Sequence, residues 1–152
     1  MEPTDGVRDA IELRVRFAVD DAVLTRLHER AFGASGQLAA AQAAEPVPWA
    51  HRLERHSVAW IGAFEAGRAG HDELVGFVHA VWDGGEHAFL LDTIVDPSVQ
   101  RRGIGRALVL RLREVVAEAG CSWLHVDFEP RLSGFYRECG FRPTEAGLLR
   151  LG

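Results

Sequence analysis

The stretch that most constrains this chain is 90–112, LLDTIVDPSVQRRGIGRALVLRL. Leu90, Leu91, Thr93, Ile94 and Val95 form an apolar, β-branched run. It stops at Asp96-Pro97, because proline has a fixed φ and no N–H to give a ladder. Gln100, Arg101, Arg102, Gly103, Ile104 and Gly105 follow, and then Ile104, Leu108, Leu112, Val115, Val116 and Ala119 recur at helical spacing. The order is strand, glycine turn, helix, and the next apolar run, SWLHVDF at 122–128, supplies another strand. A strand, helix, strand unit implies a parallel pair of strands with the helix packed over them.

The turn itself has a use that follows from its backbone. The first N–H groups of a helix lack internal partners and carry the positive end of its dipole, so they hold an anion where nothing bulky blocks the approach. Gly103 and Gly105 clear that approach, and Arg101, Arg102 and Arg106 add charge suited to phosphate oxygens. Two glycines alone are equally compatible with a plain turn into a surface helix. A Walker A loop is excluded, since no Gly-Lys-Ser/Thr ending follows. A dinucleotide fingerprint needs Gly or Ala where Leu108 stands, which counts against a nucleotide-dependent oxidoreductase.

Upstream, alternation of Ile11, Leu13, Val15, Phe17 and Val19 predicts a strand over 11–19 with one buried face. Asp20 or Asp21 caps a helix with the stripe Val23, Leu24, Leu27, Ala31 and Phe32, ended by Gly33. Periodicity leaves 34–47 open between a loop and a weak helix. Trp49 and Leu53 set the inner face of a short helix over 49–55. Strands over 58–64 and 74–82, joined by a glycine-bearing turn, form an antiparallel hairpin, and Asp83-Gly84-Gly85-Glu86 turns into the central strand. After Pro130 a short helix over 132–139 carries Phe135, Tyr136 and Cys139, and 141–142 and 148–151 read as two short terminal strands. The expectation is one domain over 11–152 behind a disordered 1–10.

Charge and cysteine usage narrow the function. A net charge of −5 over 152 residues, with dispersed arginines, argues against a nucleic-acid surface, so any anion site is local. No stretch has the length of a membrane span, and 1–10 lacks the apolar core of a signal peptide, which suggests a cytoplasmic chain. Cys121 and Cys139 lie in no CxxC arrangement and read as reduced structural thiols. His51 and His56 do not share the i, i+4 spacing of a zinc helix, so no metal is expected.

The segment Gln100-Arg101-Arg102-Gly103-Ile104-Gly105 matches the Gln-x-x-Gly-x-Gly loop of the Gcn5-related N-acetyltransferases, GNAT, at each defined position. A strand ending in Val-Asp-Pro precedes it, and Phe135-Tyr136-x-x-x-Gly140-Phe141 follows near the C-terminus. The sequence resembles that superfamily over roughly 74–141. The resemblance implies an α/β (α+β) fold with a mixed six- to seven-stranded sheet flanked by about four helices. It also implies acetyl-CoA as acyl donor, bound between two splayed parallel strands. By similarity, backbone groups of Ile94 and Val95 pair with the pantetheine arm, the Ile94 N–H polarises the thioester carbonyl, and Gln100 to Arg106 surround the pyrophosphate.

Attack of an amine on a thioester needs an uncharged amine, a stabilised oxyanion and a proton for the departing thiolate. Tyr136, the one tyrosine of the chain, stands where the family commonly places the acid that serves the sulfur. The strand glutamate some members use as base corresponds roughly to Phe89, which cannot serve. Asp92 is the first choice of base, with Glu86, His87, His79 and Asp83 beside the central strands and Asp127 in the next one. Trp49, Trp82, Asp83 and Glu86 are candidate acceptor-pocket residues, since aromatic walls with a few acids suit a cationic amine. The implied activity is acetyl transfer to a primary amine of a small molecule or peptide, with a homodimer as a family-level expectation. The alternative is a non-catalytic acyl-CoA sensor or subunit of the same fold.

Overall fold

The computed structural model describes residues 11–33, 45–67 and 70–152. The elements follow one another as β1 (Ile11–Val15), α1 (Asp21–Phe32), α2 (Trp49–His56), β2 (Ser57–Ala66), β3 (Asp72–Trp82), β4 (His87–Val95), α3 (Ile104–Glu118), β5 (Trp123–Val126) and α4 (Ser133–Glu138). Among the described residues the sheet has five strands in the order β1-β2-β3-β4-β5. The first four pair antiparallel, and β4 and β5 pair parallel. The mixed sheet required by the strand, helix, strand unit is therefore present. The expected N-terminal segment 1–10 and most of the undecided 34–47 lie outside the described residues.

Two apolar layers sandwich the sheet. On one face α3 buries Leu108, Val109, Leu112 and Val116 against Ile61, Ala63, Val78, Ala80 and Leu90. Gly76 lets it lie close, since a Cβ there would stand 2.9 Å from a methyl of Leu108. On the other face Leu24 and Leu27 of α1 and Trp49 and Leu53 of α2 cover Phe77 and Ile94. The Asp20 carboxylate caps α1 by accepting from the Val23 N–H at 3.0 Å.

Three expectations need correction. The first strand ends at Val15 and not Val19: Arg16 takes φ +50°, and its guanidinium donates twice to the Val58 carbonyl, turning the chain so that Phe17 and Val19 pack under α1. The sheet has five described strands and not six or seven, because 141–142 and 148–151 form none. Pro143 removes a ladder donor directly after Arg142, and Leu148, Leu149 and Leu151 stand 80–94% exposed. The last parallel strand is also shorter than 122–128, and that shortness opens the site.

Candidate active site

The β4–β5 ladder pairs His87 to Leu90 with Trp123 to Val126 and stops there, while β4 runs on to Val95. Beyond Leu90 that side of β4 therefore carries backbone groups with no strand partner. The other side stays bonded to β3, and Asp96 N–H donates to the Val75 carbonyl at 2.8 Å. Antiparallel alternation from that bond turns the N–H and C=O of Val95 to the free edge and those of Ile94 toward Phe77 of β3. Val95 thus fits the expected backbone role. The Ile94 N–H does not, because the ladder already uses it.

At the end of the free edge the chain enters α3 through the glycine turn. Gly103 is the N-cap, at φ +79° with open space where a Cβ would stand. A β-carbon in this left-handed conformation costs about 1–2 kcal/mol, so glycine is the residue the turn requires. The first bond of the helix runs from Ala107 N–H to the Gly103 carbonyl at 3.0 Å. The N–H groups of Gly103, Ile104, Gly105 and Arg106 precede it and have no i−4 partner. Gly105 faces another way: a Cβ there would make ordinary contact with the Phe135 ring at 3.5 Å and with Val95 at 3.6 Å. Gln100 ties the turn to β4 by donating from Nε2 to the Val95 carbonyl at 3.2 Å. Arg102 pairs with Glu65 of β2 at 2.8 Å, so its side chain braces the turn, whereas Arg101, at φ +64°, and Arg106 are exposed.

Between the two ends β4 carries a bulge. Phe77 pairs with Ile94 and His79 with Leu91, so β4 spends one more residue than β3 over the same interval. Asp92 absorbs it at φ +53°, a conformation aspartate tolerates better than most residues. Neighbouring residues of a strand point to opposite faces, and here the two faces receive different chemistry. Thr93 faces α4, where its Oγ1 accepts from the Tyr136 hydroxyl at 3.3 Å. Tyr136 is buried among Phe128, Phe135 and Phe141, and that burial raises its pKa against the opposing effect of the Thr93 hydrogen bond. The phenol therefore keeps its proton.

Asp92 faces α1 and α2. Its Oδ2 lies 2.8 Å from Nε2 of His79, and its Oδ1 lies 3.4 Å from Nε2 of His28. Burial works to raise this carboxyl, but the hydrogen bonds and charge of His28 and His79 outweigh it and hold the pKa well below the usual carboxylate range. A carboxylate that ionised is a poor proton acceptor at neutral pH, so Asp92 does not suit the role of direct base. It suits the role of orienting two imidazoles. An ionised Asp92 takes a hydrogen bond from Nε2 of His79, and in the neutral imidazole Nδ1 is then an acceptor, 3.0 Å from Ser57 Oγ.

A pocket of about 200 Å³ opens over this cluster, lined by Trp49, Arg52 and His56 of α2, by Ser57, and by His79 and Leu91. Trp49 alone among the expected acceptor residues lines it. Its indole N–H is buried without a partner among the described residues. Trp82 lies on the α3 face, because alternation from His79 and Val81 turns it away from the pocket. Asp83 accepts from the N–H groups of Gly85 and His87 within its own turn, and Glu86 accepts from Ser122 Oγ at 2.9 Å. Both acids are thus engaged in these hydrogen bonds, and neither lines the pocket. His28, Ser57, Arg52 and His56 were not legible as site residues, since His28 of α1 and the stretch 52–57 meet His79 and Asp92 only in the folded chain.

The model of the acetyltransferase (GNAT) family matches residues 19–141. Serotonin N-acetyltransferase 2, chloroplastic, of Oryza sativa subsp. japonica is 38% identical over 89 residues, 59% of this chain and 44% of that protein. Probable glucosamine 6-phosphate N-acetyltransferase 2 of the same plant is 40% identical over 58 residues, 38% of this chain and 35% of that one. The chain thus spans less than half the length of these curated relatives. A solved GNAT family acetyltransferase from Brucella melitensis, in complex with acetyl-CoA, has the same fold, with a TM-score of 0.69 over 89% of this chain and 84% of that one at 20% identity.

Proposed function

The chain belongs to the acetyltransferase (GNAT) family, and from that premise we propose that it transfers an acetyl group from acetyl-CoA to a primary amine of a small molecule or peptide. The amine attacks the thioester directly while both substrates are bound. The observation that carries this reading is the free edge of β4 leading into the open, left-handed Gly103 at the N-terminus of α3. The residues present fit the donor: N–H groups from Gly103 to Arg106 without an i−4 partner suit a pyrophosphate, and the Val95 N–H on the free edge suits a pantetheine carbonyl, beside the Val95 C=O that Gln100 already holds. Bound acetyl-CoA supplies the acetyl thioester and the departing thiolate.

The chain's own groups supply the proton traffic. The incoming ammonium gives its proton to Ser57 Oγ as the hydroxyl proton of Ser57 passes to Nδ1 of His79. Asp92 stabilises the resulting imidazolium through Nε2. On the opposite face of β4 Tyr136 donates to the sulfur, its phenol kept protonated by burial. The bulge at Asp92 and Thr93 separates these two ends, so base and acid do not neutralise one another.

Amine-dependent thiol release from acetyl-CoA tests the proposal. Turnover with members of a broad amine panel is the expected result, and coenzyme binding without turnover for any amine identifies an acyl-CoA sensor instead. A homodimer belongs to the same proposal, supported by the exposed Leu148, Leu149 and Leu151. So does a cytoplasmic location, supported by the two free cysteines Cys121 and Cys139. The chloroplastic relative names the alternative compartment, which imaging of a tagged full chain distinguishes. No helix among the described residues is long and apolar enough to cross a membrane.

A further inference from the structure

Resting on the transferase reading, we infer that the acceptor amine also carries an anionic oxygen group, a carboxylate or a phosphate. Arg52 and His56 hold that group at the outer wall of the pocket while the amine reaches Ser57 and His79. These two basic residues stand at i and i+4 on α2, which puts them side by side on one face of the helix. Among the described residues no carboxylate lines the pocket with them. The guanidinium of Arg52 lies 4.9 Å from the centroid of the Trp49 ring, which steadies it at the wall without neutralising its charge. Among the described residues Arg52 has no carboxylate within ion-pair distance, whereas Arg30 is matched by Asp96 and Arg102 by Glu65.

The charge layout of the pocket is therefore polar from end to end. Its floor holds Asp92 behind His79, which favours an ammonium. Its wall holds unmatched basic groups, which repel a second ammonium and favour an oxyanion. The chain as a whole carries a net charge of −5, so this basic wall is a local arrangement and not a general surface property. The pocket, open to solvent, has room in about 200 Å³ for a group of amino-acid or amino-sugar size, less than the roughly 300–1,000 Å³ of sites that enclose drug-sized ligands.

The test is thiol release by the full chain with two matched pairs of amines, an amino acid with its carboxamide and an amino-sugar phosphate with the unphosphorylated sugar. The broad panel of primary amines without anions runs beside them. In at least one pair the anion-bearing member is expected to exceed its neutral partner in kcat/KM by about tenfold or more, the yield of one charge-assisted hydrogen bond. The pair that shows the effect separates carboxylate from phosphate. Arg52→Gln is expected to bring the ratio to within about threefold, and His56→Gln to lower it by less. Arg52 is exposed, so its substitution removes charge without opening the core. Turnover confined to amines without an anion, or a ratio that Arg52→Gln does not move, overturns this inference alone. Absence of turnover with every amine overturns the transferase reading beneath it as well.

Discussion

Asp92 and Tyr136 illustrate how one strand position and its surroundings decide chemistry that residue type leaves open. The acidic side chain first suggests a base, yet two imidazoles hold its carboxyl far below the range in which it takes up a proton near neutrality. Its folded-state pKa lies below the value of about 4 shown by an unfolded aspartate. The stabilisation it brings is therefore complete above about pH 4 and is lost as pH falls toward the folded value. Asp92→Asn is expected to flatten the acid limb of the melting-temperature profile and to reduce kcat by about 10²-fold with little change in acetyl-CoA KM. Equal acid sensitivity in the two proteins contradicts this. Tyr136→Phe removes the donor to Thr93 and the proposed proton source for the thiolate. Steady-state kinetics are expected to show kcat lower by about 10–100-fold and calorimetry a loss of about 1 kcal/mol of stability.

At the scale of elements, the glycine turn separates two residues that look alike in sequence. Gly103 needs its left-handed φ and faces open space, whereas Gly105 faces Phe135 and Val95. Gly103→Val is expected to weaken acetyl-CoA binding by at least about tenfold in a calorimetric titration, through backbone strain and a blocked approach to the amides. Gly105→Ala is expected to keep binding within about threefold and to raise helix stability by up to about 1 kcal/mol. Equal loss from both changes contradicts the distinction. The elements themselves were largely legible, since period and punctuation carried them: Asp20 before α1, the turn after β3, Pro97 after β4 and the stripe of α3 all stand as expected. The bulge was not legible, because LLDTIV contains no glycine or proline to mark it and its cause lies in two histidines on other elements. Nor were the partners of the acids of the 83–86 turn legible: Asp83 accepts within its own turn and Glu86 accepts from Ser122, 36 residues on.

For the molecule as a whole, the fold reduces to one mixed sheet whose last parallel pair bonds over four residues, after which β4 runs on to Val95 beyond the end of β5. In the proposed mechanism the stretch of β4 beyond that pair carries acid and relay on its two faces and leads into the amides of α3, gathering residues as far apart as His28 and Tyr136. Leu148, Leu149 and Leu151 are the most exposed large apolar side chains among the described residues. Sedimentation velocity is expected to show a dimer that Leu148→Asp with Leu149→Asp converts to monomer, and a monomeric parent chain contradicts the dimer. The measurement closest to the central claim is a crystal structure of the chain grown with acetyl-CoA. Its diphosphate is expected within hydrogen-bond distance of the backbone N–H groups at the start of α3, with the pantetheine arm against the free edge at Val95. A coenzyme seated elsewhere, with those amides still facing solvent, contradicts it.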